Sequence, residues 1–83
     1  MCRVRCEPVT DGPGPNEQIV NVVTASGVRE EVIAPNAAVR GDTLQTSHAL
    51  EMRDDGAVLV ELPRESSSGA WRVWVAGNAV VEP

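Results

Sequence analysis

The chain has 83 residues, with twelve acidic side chains against seven arginines for a net charge of −5; 42% of residues are hydrophobic and 23% charged. That length holds one small core and leaves no room for a second, so residues 1–83 are expected to form a single domain of ordinary globular composition. A net-acidic chain without lysine is poorly suited to phosphate backbones and to anionic bilayers, so neither nucleic acid nor membrane is expected as a partner.

No apolar run approaches the roughly 20 residues of a membrane span, and no hydrophobic stretch follows the N-terminal arginines as a secretory signal would require. The expected location is cytoplasmic. Phenylalanine and tyrosine are absent and valine is the commonest residue. β-Branched side chains favour a pleated backbone over a helix, so the expected class is all-β.

Along the chain, Cys2, Val4 and Cys6 alternate with Arg3, Arg5 and Glu7, the period of a half-buried strand, which Pro8 is expected to end. Residues 10–16 (TDGPGPN) read as a flexible loop poor in ladder donors. Residues 18–24 and 28–34 flank Ala25-Ser26-Gly27 as a hairpin. Its first arm sets Val20 and Val22 against Ile19, Asn21 and Val23. Asn36-Ala37-Ala38-Val39 admits a single helical turn with Asn36 as its cap, stopped by Gly41. A short strand fits Thr43–Thr46.

Residues 49–53 and 57–62 flank Asp54-Asp55-Gly56, a second hairpin signal, with Val58, Val60 and Leu62 on one face and Leu59 on the other. Residues 63–69 form a polar loop. Trp71, Val73 and Val75 then share one face of a strand, and Arg72 and Trp74 the other. Gly77-Asn78 turns the chain into a last strand. Five to seven short strands at hairpin spacing, with at most one helical turn, suit a small, partly closed antiparallel barrel.

Residues 40–83 resemble the later part of an SH3-like barrel. Gly41-Asp42-Thr43-Leu44 is similar to the family's Gly-Asp-x-Leu. Asp55-Gly56 with Val58 to Leu62 and Trp71 to Val75 resembles its central hairpin, and Ala76-Gly77-Asn78-Ala79-Val80-Val81 its short 3₁₀ corner and final strand. The resemblance implies a fold. It does not imply a groove for proline-rich peptides, because such grooves are walled by aromatic faces that this chain lacks.

Few residues suit catalysis. Cys2 and Cys6 on one strand would stand ~13 Å apart, too far for a disulfide or a shared zinc; they read as small buried hydrophobes. His48 is the only histidine, with no nucleophile pattern beside it. The absence of lysine excludes Schiff-base chemistry and a P-loop lysine, and the prolines of Gly12-Pro13-Gly14-Pro15 remove the N–H groups a phosphate cradle needs. Asp54, Asp55 and Glu51 are too few oxygens for calcium. Arg40-Gly41-Asp42 spells an adhesion tripeptide but serves equally as a turn. No cofactor, catalytic residue or metal site is therefore expected.

Trp71 and Trp74 are the best candidates for a contact. Three positions apart on a strand, they point to opposite faces, so one should be core. The other is either covered by the 10–16 loop or exposed as an interface anchor, and the candidate contact is Trp74, with Arg72 on the same face extending the patch by stacking. The expectation is a non-catalytic protein-interaction module, its partner an unidentified protein or a second copy of itself. A small-ligand or metal-binding barrel is the alternative.

Overall fold

Three turns of one kind organise the computed structural model, which describes residues 1–82. At 24–28, 53–57 and 66–70 the fourth residue is a glycine with positive φ: Gly27 at 87°, Gly56 at 88° and Gly69 at 90°. Its N–H donates to the first residue's carbonyl at 2.9 Å, and the first residue's N–H donates to the fifth residue's carbonyl at 2.8–2.9 Å. This is a type I turn closed by a left-handed residue, a conformation that glycine alone enters without penalty.

The strands, in chain order, are β1 (Cys2–Arg5), β2 (Glu7–Asp11), β3 (Glu17–Val23), β4 (Arg29–Pro35), β5 (Val39–Arg40), β6 (Thr43–Thr46), β7 (Glu51–Met52), β8 (Val58–Glu61), β9 (Arg72–Val75) and β10 (Val80–Glu82). Two 3₁₀ turns, Asn36–Ala38 and Gly77–Ala79, interrupt them. Every pairing is antiparallel. The strands form three small sheets, ordered β10-β1-β6-β5, β2-β3-β4 and β7-β8-β9. None is closed on itself, so the all-β class holds while the three sheets stay open.

All three sheets face one aliphatic core. Val4, Val20, Val22, Val32, Ala34, Leu44, Val60 and Val75 have no exposed surface, and Cys6, Val58, Leu62 and Val73 complete the cluster. Backbone bonds cross between sheets and hold them to this centre: Ala25 N–H to the Trp74 carbonyl (2.8 Å), Ser47 N–H to Glu61 (3.0 Å) and Ser67 N–H to Glu31 (2.8 Å). Each valine taken fully from water contributes about 1.5–3 kcal/mol before entropy is counted. A core of small aliphatics therefore gains its stability from many modest contributions.

The structure bears out the period-two phases of β3 and β8. Val20 and Val22 point inward on β3 while Val23 is exposed, and Val58, Val60 and Leu62 point inward on either side of half-buried Leu59. Thr43–Thr46 is a strand with the expected bounds.

Other expectations need correction. Pro8 does not end the first ribbon. The chain enters β2, which carries Pro8, Thr10 and Asp11 and pairs with β3 through a register shift between Pro8 and Thr10. Proline is tolerated there because β2 is an edge strand with a bulge, and the loop shrinks to 12–16. The strands number ten among the described residues rather than five to seven, partly because two-residue ladders (β5 and β7) form at the turns. The described residues hold two 3₁₀ turns rather than at most one. Asn36 is the first residue of its turn and not the cap: Pro35 holds the cap position in an extended conformation, and no side chain caps it.

Arg3 also departs from the alternation. It is only 8% exposed, yet it lies between inward Cys2 and Val4. Its Nε donates to Thr43 Oγ1 at 2.9 Å, one Nη donates to the carbonyls of Ala38 and Thr43 at 3.3 Å, and Glu82 lies 3.9 Å away. A buried guanidinium is tolerated only when its donors are engaged. Here they tie β1 to the first 3₁₀ turn, β6 and β10.

Candidate binding surface

Strand β9 sets the site. Its inward residues, Val73 and Val75, pair with Val60 and Val58 of β8, and its outward residues, Arg72 and Trp74, pair with Glu61 and Leu59. Trp74 lies half-buried against this cross-strand leucine, an aromatic–aliphatic pair of the kind that stabilises sheets. The Arg53 guanidinium sits over the indole, 4.8 Å from the ring centroid.

Arg53 is held there by Asp55, through Nε (3.3 Å) and Nη2 (3.0 Å). The Asp55 carboxyl is drawn below the usual carboxylate range, first by the Ala57 N–H that it accepts and then by Arg53. The 53–57 turn therefore serves two ends. It closes the β7–β8 hairpin, and it aims a cation at the indole.

Arg72, expected to stack on Trp74, does not. Its Nε bonds Glu61 Oε2 across the ladder at 3.2 Å, because the register places that carboxylate directly opposite. Trp74 and Arg72 do share the wall of an open cleft of about 360 Å³. The 24–28 turn, Glu30 and Ala70 form its other sides.

Trp71 lies elsewhere, and neither indole is core. Trp71 precedes the first residue of β9 and is 53% exposed. The alternation that buries Val73 and Val75 does not reach it, since only its carbonyl is held, by the Leu62 N–H at 2.8 Å. It stands between two further clefts of about 470 and 350 Å³. Pro13, Ile33 and residues 64–67 line the first; Met1, Leu62 and Pro63 are among the walls of the second.

The remaining candidates do not converge. Cys2 and Cys6 are buried free thiols on the core side of the first ribbon. Burial, and secondarily the Asp42 carboxylate, pushes the Cys6 thiol up to about 11. His48, Glu51, Asp54 and Asp55 are all exposed. Among the described residues no three His, Cys, Asp or Glu side chains come together as a metal site would need. Arg40-Gly41-Asp42 bridges β5 and β6, with Gly41 at φ 60° and the Asp42 carbonyl accepting the Cys6 N–H at 2.7 Å.

Sequence reasoning missed one constellation. Ser66 and Ser68 both donate to Glu30 Oε1, at 2.9 and 2.6 Å, and Ser67 donates to Glu31 Oε1 at 2.8 Å. The run Ser-Ser-Ser-Gly-Ala could have been matched to Thr-Ala-Ser-Gly-Val and recognised as a turn. Its docking on β4 is a long-range event that no local signal carries.

No protein-family model, curated protein or solved structure matches this chain.

Proposed function

We propose that this protein is a small, non-catalytic interaction module, built as a partly closed SH3-like barrel, whose contact surface is centred on Trp71 and Trp74. The observation that carries the reading is the 53% exposure of Trp71 in a chain with only two aromatic side chains, both outside the core. A fold that can be stabilised by aliphatics alone has no structural need for an indole in water. Tryptophans placed beside shallow apolar clefts are the residues that most often dominate binding energies. Proline-rich peptides are not the proposed partner, since the two indoles stand on separate clefts and not side by side as a stacked pair.

The test compares immobilised wild type with Trp71→Ser and Trp74→Ser forms for retention of proteins from the source cells, alongside sedimentation of the free chain over a wide concentration range. The expected result is a partner, or a second copy of the chain, retained by wild type and lost at least tenfold with the substituted tryptophan, as for ~1.4 kcal/mol or more of contact energy. Equal retention by all three forms, with monomeric sedimentation throughout, would overturn the reading.

A further inference from the structure

The 66–70 turn makes a set of contacts that its own closure does not require. Turn geometry is complete once Ser66 N–H reaches Ala70 and Gly69 N–H reaches Ser66. Beyond that, Ser67 N–H donates to the Glu31 carbonyl at 2.8 Å, and all three serine hydroxyls donate to the Glu30 and Glu31 carboxylates at 2.6–2.9 Å. Arg64, just upstream, adds an ion pair to Glu17 at the start of β3. Three carboxylates of the β3–β4 hairpin thus hold one short segment.

That segment also walls two of the three clefts that the tryptophans border. Arg64, Glu65, Ser66 and Ser67 form one side of the cleft beside Trp71, and Ala70 and Glu30 line the cleft beside Trp74. Ser66 is 4% exposed, whereas Ser67 and Ser68 face solvent. The anchoring is therefore reachable from outside. Its acceptors are anions, so any negative charge introduced at the two outer hydroxyls would meet Glu30 and Glu31 at hydrogen-bond distance.

We propose that the serine turn is a charge-sensitive latch: docked on Glu30 and Glu31 it shapes the walls of the tryptophan clefts, and negative charge at Ser67 or Ser68 releases it. The role given to the clefts rests on the interaction reading above; the latch itself does not. Loss of one hydroxyl–carboxylate bond together with like-charge repulsion should raise local opening by roughly tenfold. The core is untouched, so this is local unfolding and not global.

Amide hydrogen exchange tests this in the intact chain, because Ser67 N–H reports docking while Gly69 N–H reports the turn alone. Compared with wild type, Ser68→Asp and Ser67→Asp are expected to speed exchange at Ser67 by about tenfold. Ser68→Ala, which loses a bond without adding charge, should do so by less. Exchange at Val20 and Val60 should stay constant. Iodide quenching of Trp71 in a Trp74→Phe background should rise in parallel.

Unchanged Ser67 exchange in both aspartate variants would overturn the latch. So would a uniform rise across all amides, which marks general destabilisation. Equal effects of Ser68→Ala and Ser68→Asp would remove charge from the mechanism. Each of these results is read without a partner, so it stands apart from the outcome of the tryptophan binding test.

Discussion

Replacing Val60 by aspartate isolates the physics on which the fold depends. Val60 has no exposed surface and lies opposite Val73 in the centre of the β8–β9 ladder. Val60→Ala removes two methyl groups, about 1.6 kcal/mol of transfer energy. A residual cavity of ~40 Å³ brings the loss to roughly 2.5 kcal/mol. Val60→Asp is worse in kind. The cluster around it is aliphatic apart from the Cys6 thiol, a weak donor, so the group must enter the core protonated.

Raising the pKa of a carboxyl by 3–4 units from its usual 3.9 costs about 4 kcal/mol at pH 7. The whole stability expected for a chain of this length is about 4–12 kcal/mol. The sign fixes a second observable. A carboxyl whose folded pKa lies above its unfolded value of about 3.9 destabilises increasingly as pH rises from there to the folded value. The variant should therefore recover part of its deficit near pH 4. Urea titration followed by tryptophan emission at pH 7 and pH 4.5 measures both. A variant with the parent's midpoint at pH 7 would refute the inward assignment of Val60 and with it the phase of β8.

Four further outcomes follow from particular contacts. Arg3→Ala should lose about 2–3 kcal/mol in urea unfolding, because the Thr43 and Ala38 acceptors are left unpaired, and Arg3→Lys should not restore it. Gly77→Ala should destabilise by about 1–3 kcal/mol, since a Cβ there would stand 2.7 Å from the Gly56 carbonyl oxygen; calorimetry reads the drop in Tm. Cys6, held protonated to about 11 against an ordinary 9.0, favours the folded state below pH 9, and that contribution is lost as pH climbs from 9 to 11. The chain has neither tyrosine nor lysine, so Cys6→Ala should remove most of the stability loss measured across that window. Iodide should quench Trp71 more strongly than Trp74, as Trp71→Phe and Trp74→Phe single-indole forms would reveal. Equal quenching would contradict the assignment of Trp71 as the exposed ridge.

The candidate site was only partly legible in advance. Two tryptophans in an aromatic-poor chain marked the segment that borders the clefts, and the turn residues Asp54-Asp55-Gly56 and Ala25-Ser26-Gly27 marked two of the three glycine-closed turns. The phase argument failed at Trp71 because a ladder ends where its partner ends, and the sequence shows no partner. Stacking by Arg72 failed for a related reason. Which cation covers an indole depends on the neighbouring hairpin: Arg53 is 21 positions from Trp74 yet lies over its ring.

Composition and alternation alone determined that this chain builds strands around a valine interior, because β-branched side chains restrict the backbone and period two sorts faces without reference to anything distant. They also determined where the chain reverses, since glycine tolerates positive φ locally. Only the tertiary structure decided that Pro8 continues into an edge strand, that Arg3 is drawn inside, that three serines clasp two glutamates, and that both indoles face outward. Each of those depends on a group far along the chain arriving within hydrogen-bond or stacking distance, and the energy of such meetings is set by packing, which no local pattern encodes.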